Sequence, residues 1–375
     1  MATSEDPSLP LSGISVLDIT SNIAGPFAGV ILADLGADVI KIEQPGGDPA
    51  RRMVPLDGDR SAYFHVVNRN KSAVSLNLKD PLDRATLDKM MTTADVLLSN
   101  HLPARAAALN LTPERIARDH PHLIYGVLTA YGSSGADSSL PGFDAVLQAR
   151  TGIAAVTGEP DGNPVRTGVS VLDLGSGMWL ASAVLAALFR RTRTGRGGLV
   201  ETSLFETGVN WVCYHILAHQ LTGTTSARHG SGHPAFAPYG IFQTRDRGIC
   251  IGIGSDPLFT AFCAAIDRPD LSTDPRFVDN SSRSAHRDEL RKIIEETLAA
   301  SDSWEWLGRL RAAGVPVDEV KLPEDLLQDE QVRATNMLLE YPGDGFTVLM
   351  PGLPITFEGH RPPLRMSAPH LPAKG

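Results

Sequence analysis

The chain has 375 residues, 42% hydrophobic and 21% charged, which argues against disordered or fibrous classes and leaves room for two lobes or one large domain with an insertion. Its net charge of −9, from 34 Lys+Arg against 43 Asp+Glu, argues against a nucleic-acid partner or an anionic-membrane surface but not against a local basic pocket. The three cysteines, Cys213, Cys250 and Cys263, form no C-x-x-C pair, so neither a disulfide scaffold nor a thiolate zinc site is expected and a reducing cytoplasm fits. Residues 1–10 are polar and acidic and do not read as a signal peptide. No apolar stretch is expected to span a bilayer, because the longest, 178–189, is interrupted by serine and small residues; the protein is expected to be soluble, with no membrane partner.

In chain order, strand-like runs at 15–19, 39–43, 73–78, 95–99 and 123–129 alternate with helical patterns at 26–35 and 81–91. That alternation predicts an α/β, doubly wound, mainly parallel Rossmann-like lobe, whose ligands gather at the carboxyl ends of the strands. A long helix is expected after Asp173, with Met178, Leu180, Ala181, Val184, Leu185 and Leu188 on its apolar face, stopping at the Thr-Gly-Arg-Gly-Gly run 194–198. A second apolar helix is expected over 204–221. Residues 223–238 are rich in Gly, Ser, Thr, His and Pro and read as a linker or mobile glycine-rich loop, ending the large lobe of 1–222. From 239 to 320, strands at 240–244 and 248–253 and helices at 256–265, 285–299 and 303–314 predict a smaller α+β lobe. The remainder, 321–375, carries Pro342, Pro351, Pro354, Pro362, Pro363, Pro369 and Pro372 and reads as an extended arm returning to the large lobe.

The chain contains no G-x-x-x-x-G-K-[ST], G-x-G-x-x-G or G-x-S-x-G, so the Walker, fingerprinted dinucleotide and α/β-hydrolase readings lose weight. His215 and His219 stand four apart, but no glutamate follows the first histidine as a zincin needs; no metal is expected. Asp173 precedes an apolar helix, where an aspartate commonly caps free N–H groups.

Two ordered stretches say more. The first is Leu17-Asp18-Ile19-Thr20, Ala24-Gly25-Pro26 and Leu32 through Glu43, then Gly47-Asp48 and Asn68-Arg69-Asn70-Lys71. The second is Pro141-Gly142-Phe143-Asp144, Gly152, Asp173-Leu174-Gly175-Ser176-Gly177-Met178 and Thr194-Gly195-Arg196-Gly197. A looser match follows in Arg228-His229-Gly230, His233-Pro234 and Pro238-Tyr239-Gly240-Ile241-Phe242. In content and order these resemble the family III CoA-transferases, formyl-CoA transferase among them.

The resemblance implies an interlocked homodimer and an enzyme that moves coenzyme A between carboxylic acids, with Asp173 as nucleophile. An aspartate, with a reference pKa of ~3.9, would already be ionised and need no general base to attack a thioester. CoA-contacting segments of that family correspond to Asn22, Ile23, Ala24, Leu76, Asn77, Lys79, Asn100 and His101, and Gly230, Ser231 and Gly232 resemble its loop over the site. Phe143 is expected among the CoA-binding residues as an apolar wall near the thioester, or else as a core aromatic, and Asp144 to orient neighbouring groups there or to cap the next helix. Gln44, Ala108 and Pro141 stand where formyl-CoA transferase has Arg or Lys, so phosphate pairing falls to other cations, for which Arg51, Lys79 and Arg105 are the candidates. Gly175 and Gly177 either ease helix packing or let a bulky thioester approach. The related α-methylacyl-CoA racemases use a histidine from Gly-His-Asp, where this chain has Gly142-Phe143-Asp144; phenylalanine cannot move a proton. An inactive CoA-binding homologue is the remaining alternative.

Overall fold

The structure, a computed structural model, describes residues 8–343 and 345–371. Residues 1–7, part of the stretch 1–10 read above as unlike a signal peptide, and Pro372 lie outside the described residues. Six strands, β1 (Ser15–Asp18), β2 (Asp38–Glu43), β3 (Lys71–Ser75), β4 (Val96–Ser99), β5 (Ile124–Thr129) and β6 (Gly198–Ser203), form one parallel sheet in the order β3-β2-β1-β4-β5-β6. The order reverses between β1 and β4, which leaves a crevice beyond their carboxyl ends. Six alternating strands and crossovers match the deduced α/β class.

Successive strand residues point to opposite faces, so each strand feeds two cores. Val16, Val39, Val96, Leu98, Ile124 and Leu128 join one cluster, while Leu17, Ile42, Leu97 and Tyr125 join the other. Onto the first face pack α1 (Ala24–Asp34) and a long helix from residue 171; onto the second pack α2 (Pro81–Met91) and α3 (Pro113–Asp119). Three more helices frame the site: α4 (Asp144–Arg150), α5 (Val171–Thr194) and α6 (Leu204–Trp211). Gly195 ends α5 with φ +67, a left-handed residue that a side chain would disfavour.

Several expectations change. Helix α5 starts at Val171, so Asp173 lies inside its first turn and is not its cap. By length and composition α5 could cross a membrane, contrary to the expectation that no stretch is long enough; Leu172, Leu180, Val184 and Leu188 are buried in the sheet-facing core. The single helix over 204–221 is two, α6 and α7 (Cys213–Thr222), broken at Val212. Strand β6 escaped detection because it is a sheet edge with alternate residues exposed.

The described residues form two compact units, 8–153 with 166–223 and 327–371, and 154–165 with 224–326. In the second unit β7 (Tyr239–Gln243), β8 (Gly248–Gly252) and β9 (Val317–Glu319) pair antiparallel, with β8 central. Phe242, Ile249, Phe259, Phe262, Leu290, Ile294, Trp306 and Leu310 fill its core. The stretch 223–238, expected as a linker or mobile loop, is tied to this unit from residue 224 on: Arg228 donates to the carbonyls of Glu159, Pro160 and Gly162, and Gly230 N–H to that of Gly158. Within the proline-rich tail, β10 (Leu338–Gly343) and β11 (Phe346–Pro351) make an antiparallel hairpin, which the two prolines tolerate at its ends. Beyond it, Asn70 Oδ1 accepts the N–H groups of Arg365 and Met366 at 2.6 and 2.9 Å.

Candidate active site

Two features of the first unit carry chemistry. One is a cavity of about 720 Å³ at the carboxyl ends of the strands, lined by Leu76, Asn77, Lys79, Asn100, His101 and Arg105 together with Thr20, Ser21 and Gln44. Its floor is built around the turn that leads from β1 into α1. Asn100 grips that turn with both ends of its amide, accepting from Ser21 N–H at 3.1 Å and donating to the Ser21 carbonyl at 2.8 Å. Asn22, at φ 66, takes the left-handed conformation that asparagine tolerates, and its N–H donates to Asp48 Oδ1 at 3.1 Å. Ile23 and Ala24 behind it are buried.

Beneath the turn lies a set of four buried charges. Lys71 pairs with Asp18, and Lys41 with Asp48, each at 2.8 Å; Lys41 also donates to the Thr20 carbonyl at 3.0 Å and Lys71 to that of Pro26 at 2.8 Å. Burial would raise the Asp18 carboxyl, but the Lys71 and Lys41 ammoniums outweigh it and hold it at about 2. Burial brings Lys71 down to about 8, against the pull of Asp18. Such charges are tolerated only when mutually paired and fully hydrogen-bonded, and here they fix the backbone of the turn.

Of the proposed phosphate cations, Lys79 and Arg105 are exposed at the cavity and in no salt bridge among the described residues. Arg51 is committed elsewhere and does not line this cavity: Glu43 holds it through two bonds at 2.6 and 2.8 Å, the Pro369 carbonyl accepts from it, and it stacks on Phe64. Burial, with Arg105 adding to it, pushes His101 down to about 4, so its ring is neutral at physiological pH. Gln44, noted from sequence only as a position without the family's cation, lines the cavity just after β2, and Thr20 and Ser21, not assigned to it from sequence, lie just beyond β1, where the strand-end rule alone points.

The second feature is the start of α5. Asp173 is partly buried, and its N–H and that of Leu172 donate to Asp144 Oδ2 at 3.2 and 2.7 Å. Asp144 is in turn held by Gln148, whose carbonyl accepts from Thr167 N–H at 2.9 Å. Burial, reinforced by the neighbouring Asp144 carboxylate, pushes Asp173 up to about 7. The expectation of a fully ionised aspartate is therefore corrected: near neutrality Asp173 is divided between its two forms. Phe143 is 69% exposed in the chain by itself.

The two glycines after Asp173 serve packing. A Cβ on Gly177 would stand 2.7 Å from the Ala24 carbonyl oxygen, and one on Gly175 would stand 2.4 Å from the Trp211 ring. Gly177 thus seats α5 directly on the beginning of α1, where the cavity's turn ends. Gly230, Ser231 and Gly232 belong to the second unit; Gly230 has φ 56, Gly232 N–H donates to the His229 carbonyl at 2.7 Å, and Ser231 Oγ accepts from Ile241 N–H at 2.9 Å. Among the described residues no cluster of metal-ligating side chains occurs. Gln148 and Thr167 were missed from sequence; the i,i+4 spacing of Asp144 and Gln148 was visible, whereas Thr167 arrives only through the fold.

Comparison with known proteins shows the chain's relatives. The family model CoA-transferase family III matches residues 11–374. The chain is 39% identical to acetyl-CoA:oxalate CoA-transferase of Acetobacter aceti, over 100% of this chain and 96% of that one. It is 35% identical to succinyl-CoA:glutarate CoA-transferase of Homo sapiens, over 88% of this chain and 76% of that one. The crystal structure of a CAIB/BAIF family protein from Brucella suis superimposes with a TM-score of 0.87 at 31% identity, covering 96% of each chain.

Proposed function

The chain belongs to CoA-transferase family III, and from that premise we propose that Asp173 carries the acyl group and then CoA between two carboxylic acids. Its carboxylate oxygen attacks the thioester carbonyl of the donor; the C–S bond breaks, giving a mixed anhydride and CoA thiolate. The thiolate attacks the Asp173 carbonyl of the anhydride, forming an aspartyl-CoA thioester and expelling the first acid. The acceptor carboxylate then attacks that thioester, and the released thiolate takes the new acyl group, which restores Asp173.

The observation that carries this reading is the partly buried Asp173 whose carboxyl is pushed up to about 7. A more basic carboxylate is a stronger nucleophile, and partial burial keeps water from a hydrolysable anhydride. Lys79 and Arg105 supply charge for the CoA phosphates, with neutral His101 and Asn77 as further polar contacts. The oxalate and glutarate in the relatives' names make short dicarboxylates the first acceptors to try. No metal enters the chemistry.

We place the enzyme in the cytoplasm, apart from membranes and nucleic acid, and as an interlocked homodimer. Helix α7 has no buried residue, although Tyr214, Ile216, Leu217 and Leu221 lie on it, and Trp179, Phe189 and Trp211 are also exposed. A second copy is the cover that suits such a surface.

The test is CoA exchange between labelled acyl-CoA and a panel of acids, read by mass spectrometry, for parent and Asp173→Ala. Transfer should fall at least about a thousandfold in the variant, and hydroxylamine added during turnover should leave a hydroxamate on residue 173. An unmodified residue 173, or a variant as fast as the parent, rejects the mechanism; solvent exchange of the α-proton without transfer would mark a racemase.

A further inference from the structure

Helix α5 begins in an unusual way. Its own preceding residue, Ser170, makes no side-chain cap, and the free N–H groups of Leu172 and Asp173 are taken by a carboxylate from α4. Asp144 is 6% exposed and Gln148 fully buried. Gln148 donates its Nε2 to Asp144 Oδ1 and accepts from Thr167 N–H, so the carboxylate is clamped from both sides. A serine cap would satisfy the same N–H groups without burying a charge.

We infer that Asp144 is a positioning residue for CoA transfer, holding the first turn of α5 while keeping a second carboxylate beside the nucleophile; this rests on the reading of Asp173 given above. Two consequences follow from elementary chemistry. Helix N–H groups that would stabilise a charged Asp173 are spent on Asp144 instead, and the neighbouring charge opposes ionisation further. The nucleophile is thereby more basic. When thiolate attacks the mixed anhydride, expulsion of the substrate acid leaves the weaker base, and expulsion of Asp173 the stronger one. A basic Asp173 therefore favours the aspartyl-CoA thioester over either mixed anhydride, which speeds its formation from the donor and sets its discharge to the acceptor as the step that follows.

Other charged groups on the elements packed against α5 are already engaged. Asp34 on α1 pairs with Arg69 at 2.7 Å, Arg150 on α4 with Asp137 at 3.2 Å, and Glu206 on α6 accepts from the Ser203 hydroxyl at 2.7 Å. Glu201 on β6 is exposed, Tyr125 on β5 belongs to the core on the opposite sheet face, and Arg190, Arg191 and Arg193 stand at the far end of α5. The charge that acts on Asp173 beside its burial is Asp144.

The experiment is the pH profile of kcat/KM for CoA exchange, with an acceptor acid ionised throughout the range, for the parent, Asp144→Asn and Asp173→Ala. Asp144→Asn should move the acid limb down by about one pH unit, so that its rate relative to the parent improves about tenfold from pH 8 to the foot of the limb. A limb that stays in place while the rate falls equally at every pH is the mark of a purely structural cap and overturns the inference. If Asp144→Asn does not fold, Asp144→Ser is read instead: a hydroxyl can still accept from the helix N–H groups but carries no charge, so the limb should again move down, and an unmoved limb overturns the inference. Transfer surviving in Asp173→Ala overturns the reading of the nucleophile, whatever the Asp144 result.

Discussion

At the scale of single residues, the proposed chemistry rests on a carboxylate whose surroundings oppose its charge. Burial and Asp144 raise Asp173 to about 7, far above the usual range of an aspartate. In linkage terms the folded state keeps a proton that the unfolded chain releases. The cost to stability is absent below the unfolded value, grows as pH rises toward 7, and is complete above it. Replacing Asp173 by Asn removes that cost. The variant should therefore gain stability over the parent between pH 4 and pH 8, by at most about 4 kcal/mol. Urea unfolding at several pH values checks this, and a pH-independent difference contradicts it. The buried charges under the Thr20 turn behave differently, because each is paired, and Asp18 stays ionised down to about 2.

At the scale of elements, the contact of α5 with α1 links Asp173 to the strand-end cavity. Gly177 is the residue that allows it, since a Cβ would meet the Ala24 carbonyl and the Phe27 side chain at 2.7 and 3.0 Å. Neither neighbour gives easily, the first being backbone and the second packed against the main core. Gly177→Ala is expected to destabilise the protein by about 1–3 kcal/mol. Because the displaced segment is the one that follows the cavity's turn, the KM for acyl-CoA should rise as well. Denaturant titration and steady-state kinetics together check this; a variant with unchanged midpoint and KM shows that the helices slide apart at no cost. The same packing explains why glycine rather than alanine occurs in a helix interior, where it is otherwise disfavoured.

At the scale of the whole molecule, the exposed apolar face of α7 and the exposed Trp179, Phe189 and Trp211 predict self-association. Light scattering should give twice the 40.1 kDa chain mass and hold it on dilution, as a large apolar interface requires; a well-folded, active monomer refutes it. Much of the architecture was legible in the sequence, because strand and helix periodicities are local: β1, β2, β4 and β5 were all found from apolar runs flanked by turn residues. The edge strand β6 and the tail hairpin were not, since half-exposed alternation and prolines carry little apolar signal. Asp173, the proposed nucleophile, was named from motifs together with part of the cavity lining, Leu76, Asn77, Lys79, Asn100, His101 and Arg105, as a residue's identity and place in the chain suffice for that. Its ionisation was not legible, nor was the loss of Arg51 to Glu43. A pKa and an ion pair depend on what lies across space, and Asp144 meets Asp173 from 29 residues away. The order of residues thus determined the αβ alternation and the chemical groups at hand, whereas folding alone decided which of those groups would face one another, because burial and Coulomb interaction act over distance in space and not along the chain.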